Sequence, residues 1–145
     1  MTDEDAIRNL LGRYCEAIDA GDFGAVGALF ADGALADEHG TELARGADAV
    51  AAFYGQVDKL YDGSPRTKHL VVNSIIEVDG DANSASARSS YVALQQAEGL
   101  PLQPIIAGRY HDRFQRGADG GWAFAERRFF VDLTGDLSQH LNLDL

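Results

Sequence analysis

Residues 67–97, TKHLVVNSIIEVDGDANSASARSSYVALQQA, decide the fold, because two β-like runs are joined there by Asp79-Gly80-Asp81. Asp-Gly connections of this length are typical of β-hairpins. Two further β-like runs follow, each after a connection that contains glycine. We therefore predict an antiparallel meander of four strands: Thr67–Val78, Ser84–Ala97, Ile105–Arg116 and Trp122–Leu133.

The first third of the chain has helical periodicity instead. Thr2 and Asp5 indicate a helix start near residue 3, and Gly21 indicates its end. The apolar residues between them recur three and four positions apart, which is one stripe of an α-helix. They are Ile7, Leu10, Leu11, Tyr14, Cys15 and Ile18.

Two shorter helices are predicted before the meander. Asp22 can cap the first of them, in which Phe23, Val26, Leu29 and Phe30 share a face. A short hairpin over Ala34–Ala44, turning near His39-Gly40, separates it from the next. That next helix is predicted over Asp48–Leu60, with Val50, Phe53, Tyr54 and Val57 turned inward.

Helices followed by a meander predict an α+β fold. We expect a cone-shaped, curved, mostly antiparallel sheet with about three N-terminal helices that enclose a pocket. Such a cavity favours a small apolar ligand. The length of 145 residues matches a single domain over residues 1–145.

Composition excludes several classes of function. The chain has 12 Lys and Arg against 23 Asp and Glu, for a net charge of −11. Such a field repels nucleic acid and anionic membrane surfaces, so we expect neither as a partner. The single cysteine, Cys15, cannot form an intrachain disulfide, and the acidic N-terminus has no signal-peptide pattern. We expect a cytoplasmic protein.

Strand alternation predicts which residues face the cavity. In the third long strand, Ile106, Tyr110 and Phe114 share the predicted cavity face, opposite a row of Arg109, His111, Arg113 and Gln115. In the first long strand, a face that mixes polar and apolar groups is typical of a pocket wall. It consists of His69, Val71, Asn73 and Ile75.

Asp19 and His69 are the candidate catalytic pair. Histidine titrates near neutral pH and can take up a proton without extreme tuning. A carboxylate on one ring nitrogen would fix the tautomer and stabilise the imidazolium. The alternatives are a solvated aspartate at the end of the first helix and a structural histidine at the start of a strand.

Tyrosines on the predicted cavity wall are candidate hydrogen-bond donors. Tyr14 lies on the inward stripe five residues before Asp19, and its hydroxyl could donate to a carbonyl, an enolate or a leaving oxygen. The alternative for Tyr14 is a role in the core. The other candidate substrate-binding residues are Tyr110, Asn73, Tyr54, Phe53 and Phe129, with Tyr91 a weaker donor.

Other polar groups carry less chemistry. Asp37, Glu38 and His39 are adjacent residues beside a turn, which is a poor metal-ligand spacing, and we predict no metal site. One of the two carboxylates could instead enter the cavity as a base with a pKa raised by burial. Cys15 is assigned to the core, and no glycine-rich nucleotide motif is present, so we expect no cofactor. Arg127 and Arg128 form too short a basic patch to bind a polyanion.

The sequence resembles the SnoaL-like branch of the nuclear transport factor 2-like superfamily. The resemblance lies in RYCEAIDAGDFGAVGALFADGA (13–34), RGADAVAAFYGQ (45–56) and GRYHDRFQRGADGGWAFAERR (108–128). This branch includes scytalone and bile-acid dehydratases, a hexachlorocyclohexane dehydrochlorinase and polyketide cyclases. The segment TKHLVVNSIIEVDGD (67–81) is similar to the strand that carries their histidine. The resemblance implies a cofactor-independent lyase or isomerase with His69 as base, Asp19 as its partner and Tyr14 as donor.

The first half also resembles ketosteroid isomerase. That resemblance implies a double-bond isomerase with Tyr14 as donor and Glu38 or Asp37 as base, with Tyr110 in place of that family's second, acidic donor. A third alternative is a module that binds a small molecule or assembles without catalysis. The superfamily resemblance also implies a homodimer or another homo-oligomer, for which the row of Arg109, His111 and Arg113 would suit a polar interface.

Overall fold

Three helices and a six-stranded sheet make up the computed structural model, which describes residues 1–143. The helices are α1 (Asp3–Asp19), α2 (Phe23–Ala28) and α3 (Ala47–Val57). The strands are β1 (Ala34–Ala36), β2 (Glu42–Arg45), β3 (Thr67–Asp79), β4 (Ser84–Ala97), β5 (Leu100–Arg116) and β6 (Trp122–Thr134).

The sheet has the strand order β2-β1-β6-β5-β4-β3. Strands β3 to β6 form the predicted antiparallel meander, and β1 and β2 form the predicted hairpin. β1 also pairs with β6 in parallel, which joins the hairpin to the edge of the meander. The predicted α+β class, with a curved and mostly antiparallel sheet, is confirmed.

Helix α1 positions its last residue against the sheet. The Asp5 backbone N–H donates to the Thr2 hydroxyl at 3.1 Å, which is an N-cap at the predicted start. The apolar stripe is buried as predicted, and α1 packs along β3. Gly21 ends the helix turn with φ of 70°, in the region that favours glycine. Asp19 thus lies beside the start of β3.

Helix α3 ends three residues before the predicted end. Asp58 is already extended, and it forms a β-bridge with Leu141. That bridge belongs to residues 135–143, here called the C-terminal segment, which folds back after β6. The Lys59 backbone N–H donates to the His140 carbonyl oxygen at 2.8 Å. The Tyr61 hydroxyl donates to the Gln139 carbonyl oxygen at 2.6 Å. The segment therefore covers the junction between α3 and β3.

A β-bulge at Asn73 corrects the predicted face pattern of β3. Asn73 has φ of 56°, and the pairing register with β4 shifts between Val72 and Ile75. One extra residue reverses the alternation beyond it. Ile75, predicted to share the His69 face, is 51% exposed instead, and Ile76 and Val78 pack against the core.

Strand β5 follows the predicted alternation. Tyr110 and Phe114 are buried, Ile106 is half-buried, and Arg109 and Arg113 are exposed on the opposite face. The strand begins five residues earlier than predicted. Gly99, with φ of 77°, allows a tight turn that brings Leu100 into register with Ala97 of β4.

Candidate active site

Asp19 and His69 form a hydrogen-bonded pair. His69 Nδ1 lies 2.7 Å from Asp19 Oδ1, and the His69 backbone N–H donates to Asp19 Oδ2 at 2.9 Å. The Thr67 hydroxyl donates to Asp19 Oδ1 at 3.0 Å. The two side chains are only 10% and 14% exposed. The end of α1 and the start of β3 thus hold both groups in one fixed geometry.

This geometry decides which nitrogen of His69 can act as a base. An ionised carboxylate only accepts hydrogen bonds, so the proton of the neutral ring belongs on Nδ1, facing Asp19. The lone pair then lies on Nε2. When Nε2 takes up a proton, Asp19 stabilises the imidazolium that forms.

A groove between α1 and β3 reaches His69. Its volume is about 510 Å³, within the range of small-molecule sites. Asn73, on the bulge, lines it together with mostly apolar residues, among them Leu11, Cys15 and Val71. Burial raises the pKa of the Cys15 thiol to about 11, so Cys15 contributes a neutral, apolar surface to this wall.

The predicted tyrosines are buried in the core. The Tyr14 and Tyr54 hydroxyls hydrogen-bond to each other, and burial raises the pKa of both well above the usual tyrosine value. Tyr110 stacks on Tyr91, with ring centroids 4.3 Å apart. The half-buried rings of Phe53 and Phe129 stand edge-on to Tyr54 and Tyr110, respectively. The structure thus gathers Tyr14, Tyr54, Tyr110, Phe53 and Phe129 into one aromatic cluster.

The acidic residues of the hairpin lie elsewhere. Asp37 Oδ1 accepts the backbone N–H groups of His39 and Thr41, both at 2.9 Å, so this carboxylate closes the turn. The Glu38 side chain is 53% exposed and contacts His39. The structure therefore brings neither carboxylate to the tyrosine pair, where an isomerase base would be needed.

Among residues 1–143, no three His, Cys, Asp or Glu side chains are placed to hold a metal ion together. Within the same residues, none of the helices has the length and apolar character of a membrane span.

Comparison with known families adds to this geometry. The sequence model of the SnoaL-like domain matches residues 1–128. The chain belongs to the SnoaL-like family. No curated protein matches it in sequence.

Solved structures agree with this SnoaL-like assignment. A protein of unknown function from Mycobacterium tuberculosis is 28% identical, with TM-score 0.73, over 90% of this chain and 72% of the other. A candidate scytalone dehydratase from Novosphingobium aromaticivorans is 23% identical, with TM-score 0.71, over 92% and 87% of the two chains. LinA is 20% identical, with TM-score 0.67, over 90% and 86%. The fold is the nuclear transport factor 2-like one that the sequence resemblance implied.

Sequence reasoning misplaced one member of the SnoaL-like interior. Arg127, read as part of a surface basic patch, is fully buried. Its guanidinium donates two hydrogen bonds to Asp112, at 2.8 and 3.0 Å, and lies 3.7 Å from the Tyr110 ring centroid. Strand alternation could have found it, because Asp112 shares the β5 face of Tyr110 and Phe114.

Two further titratable residues near the dyad were missed. His140 is 6% exposed, and its ring centroid lies 6.1 Å from that of His69. Its Nδ1 has no hydrogen-bond partner among the described residues. Asp58 is also 6% exposed, and its charge interacts with that of His69. His140 follows the predicted strands and lies outside the SnoaL-like match, so no motif pointed to it.

Proposed function

We propose that this SnoaL-like protein is a cofactor-independent lyase of the dehydratase type. His69 Nε2 removes a proton from a carbon next to a carbonyl, and the neighbouring carbon then loses hydroxide or another leaving group. The observation that supports this is the Asp19–His69 hydrogen bond of 2.7 Å in a nearly buried pair that a groove reaches. A base prepared in this way is typical of proton abstraction at neutral pH.

The surroundings favour a small, largely apolar and cyclic substrate. The groove wall is mostly apolar, and Tyr14 of the aromatic cluster lies on α1, the helix that ends at Asp19. Two hydroxyls that share one hydrogen bond leave one O–H free, so the Tyr14–Tyr54 pair can donate to the enolate oxygen that forms. Asn73, Tyr110, Phe53 and Phe129 would help to orient the substrate.

The structural neighbours are consistent with eliminations of this kind. One is described as a scytalone dehydratase, and the sequence resemblance includes a dehydrochlorinase. The isomerase alternative gains no support from the geometry, because Asp37 closes its own turn and Glu38 is exposed.

A cyclic β-hydroxyketone tests the proposal. Loss of water from 3-hydroxy-1-tetralone gives 1-naphthol after tautomerisation, and the product is followed by fluorescence. We expect turnover by the wild-type protein and a rate lower by about 100- to 10,000-fold in His69→Ala. The control is His39→Ala, whose side chain is 80% exposed, and it should retain full activity. Full activity of His69→Ala would remove the dyad mechanism.

Exposed leucines on β5 and β6 support a homodimer. Leu102 and Leu133 are 64% and 70% exposed there. We expect a dimer mass in sedimentation analysis and a monomer when both leucines are replaced by Lys; a monomeric wild-type protein would contradict this.

A further inference from the structure

Asp58 lies where α3, β3 and the C-terminal segment meet. It is the C-cap of α3, and its backbone pairs with Leu141. Its carboxyl group has no hydrogen bond or ion pair with any of the residues 1–143. A buried carboxylate without a partner is costly, and the negative end of a helix dipole adds to that cost. The neutral acid is therefore favoured, and burial raises the pKa of Asp58 to about 7.

The groups around Asp58 come from four elements. Tyr14 of α1, Tyr54 of α3 and His69 of β3 are close enough for their charges to interact with that of Asp58. His140 belongs to the C-terminal segment beside the bridge, and burial lowers its pKa to about 4, so it stays neutral at pH 7. The ammonium group of the adjacent Lys59 is bound to the Ser138 carbonyl oxygen.

A charge on His69 would favour the Asp58 carboxylate, but the His69 ring is already held by Asp19. The environment thus separates two carboxyl groups into different roles. Asp19 accepts from three donors and would support an imidazolium, while Asp58 retains its proton to a higher pH than an ordinary aspartate. Pairs of acids divided in this way are typical of acid–base sites.

Loss of water needs such an acid, because hydroxide is a poor leaving group. Tyr14 and Tyr54 hold their protons too tightly to protonate it at neutral pH, since burial raises the pKa of both. An acid that titrates near the working pH is the most effective donor.

We propose that Asp58 is the general acid of this site and donates its carboxyl proton to the leaving hydroxyl of the substrate. The assignment rests on the proposed function, since it supplies the second proton transfer of that elimination. His69 Nε2 takes the proton from carbon, and the C–H electron pair becomes the new C=C bond. The C–O bond breaks with its electrons on oxygen, which the Asp58 proton converts to water. Transfer of the proton from the His69 imidazolium to the Asp58 carboxylate then restores both groups.

A change of leaving group separates this role from a structural one. Chloride departs without a proton, so 3-chloro-1-tetralone needs His69 but not Asp58 to form 1-naphthol. We expect Asp58→Asn to lower the rate with 3-hydroxy-1-tetralone by about 100-fold or more. With 3-chloro-1-tetralone, the rate of Asp58→Asn, after the uncatalysed rate is subtracted, should stay within about threefold of the wild-type rate. His69→Ala should lose both activities.

The matched control is Asp62→Asn, an exposed aspartate in the same connection. Its φ is 52°, a conformation that Asn tolerates, and this variant should behave as the wild type with both compounds. Should Asp58→Asn not fold, the wild-type pH profile decides: the hydroxyl reaction should slow above pH 7, and the chloride reaction should not.

The outcomes distinguish the two proposals. Equal losses of Asp58→Asn on both compounds, or no loss on either, would overturn the role of Asp58 and leave the proposed lyase intact. A wild-type protein that is inactive on both compounds would overturn the proposed function, and the role of Asp58 with it.

Discussion

The Asp112 carboxylate and the Arg127 guanidinium form a two-point ion pair that is fully buried inside a protein of net charge −11. Burial opposes the charge on Arg127, but Asp112 raises its pKa and keeps it charged. The guanidinium also lies over the Tyr14 and Tyr110 rings, at 4.2 and 3.7 Å from their centroids. The pair therefore joins β5 and β6 to the aromatic cluster of the core.

Removal of one partner of this pair should destabilise the fold. Asp112→Asn leaves a buried, unbalanced charge on Arg127, and we expect a loss of about 3–5 kcal/mol in the free energy of unfolding. Urea denaturation measures it. The matched control is Asp132→Asn, which breaks the exposed Arg109–Asp132 pair and should cost less than about 1 kcal/mol. Equal losses in the two variants would contradict this reading of the buried pair.

Asp19→Asn should impair the reaction while the fold persists. An amide can present its N–H₂ to His69 Nδ1, which favours the tautomer with the proton on Nε2 and removes the base. We expect the rate with 3-hydroxy-1-tetralone to fall by about 100-fold or more. The control is Asp81→Asn, an exposed aspartate in the β3–β4 turn, which should retain the wild-type rate. Wild-type activity of Asp19→Asn would show that Asp19 does not orient His69.

The bulge in β3 should depend on the residue at position 73. A β-branched side chain at φ of 56° is strained, so Asn73→Val should lower the free energy of unfolding by about 1–2 kcal/mol. Asn73→Gly should remain within about 0.5 kcal/mol of the wild type, because glycine adopts positive φ without strain. Chemical denaturation of the two variants compares them. If Val is tolerated as well as Gly, the bulge does not require the left-handed conformation.

Asp58 and His140 should have opposite effects on how the free energy of unfolding changes with pH. The folded pKa of Asp58, about 7, lies above the ordinary value, so its contribution to stability is lost as pH rises from about 4 to 7. The folded pKa of His140, about 4, lies below its ordinary value of 6.5, so its contribution is lost as pH falls from 6.5 to 4.

Single variants separate these two opposing contributions. At pH 8, Asp58→Asn should be more stable than the wild type by roughly 2–4 kcal/mol, with little difference at pH 4. The wild-type protein should lose stability below pH 6.5 because buried His140 resists protonation, and His140→Asn should not show this loss. Denaturation at several pH values measures both, and His39→Asn, an exposed histidine, serves as control. A parallel shift of the whole curve would show that neither group titrates as the structure indicates.

Local patterns in the sequence predicted most of the elements. The Thr2 and Asp22 caps, the stripe from Ile7 to Ile18 and the glycine-containing turns act over a few residues, and the structure contains each of them. The strands from Thr67 to Thr134 lie within a few residues of their predicted bounds, except that β5 starts early. These features depend on neighbouring residues, so they are readable without knowledge of the fold.

Features that depend on distant pairing were not readable in this way. The Asn73 bulge arises from the register with β4, and the end of α3 is set by the bridge from Asp58 to Leu141, 83 positions along the chain. The partnership of Asp19 with His69 was predicted as a hypothesis about the fold, to which the family resemblance added support, and the structure places the two in contact. Asp58 and His140 have no local signature, because the bridge from Asp58 to Leu141 and the approach of His140 to His69 form only when the C-terminal segment folds back.

The C-terminal segment lies outside the part of the chain that matches the SnoaL-like domain. The family match ends at residue 128, while the segment that brings His140 to His69 starts at residue 135. The Asp19–His69 pair and the groove are thus built from one part of the chain, and the segment beside His69 from another. Exchange of residues 135–143 between members of the family would therefore change the surroundings of His69 and Asp58 while it leaves the Asp19–His69 pair and the groove in place.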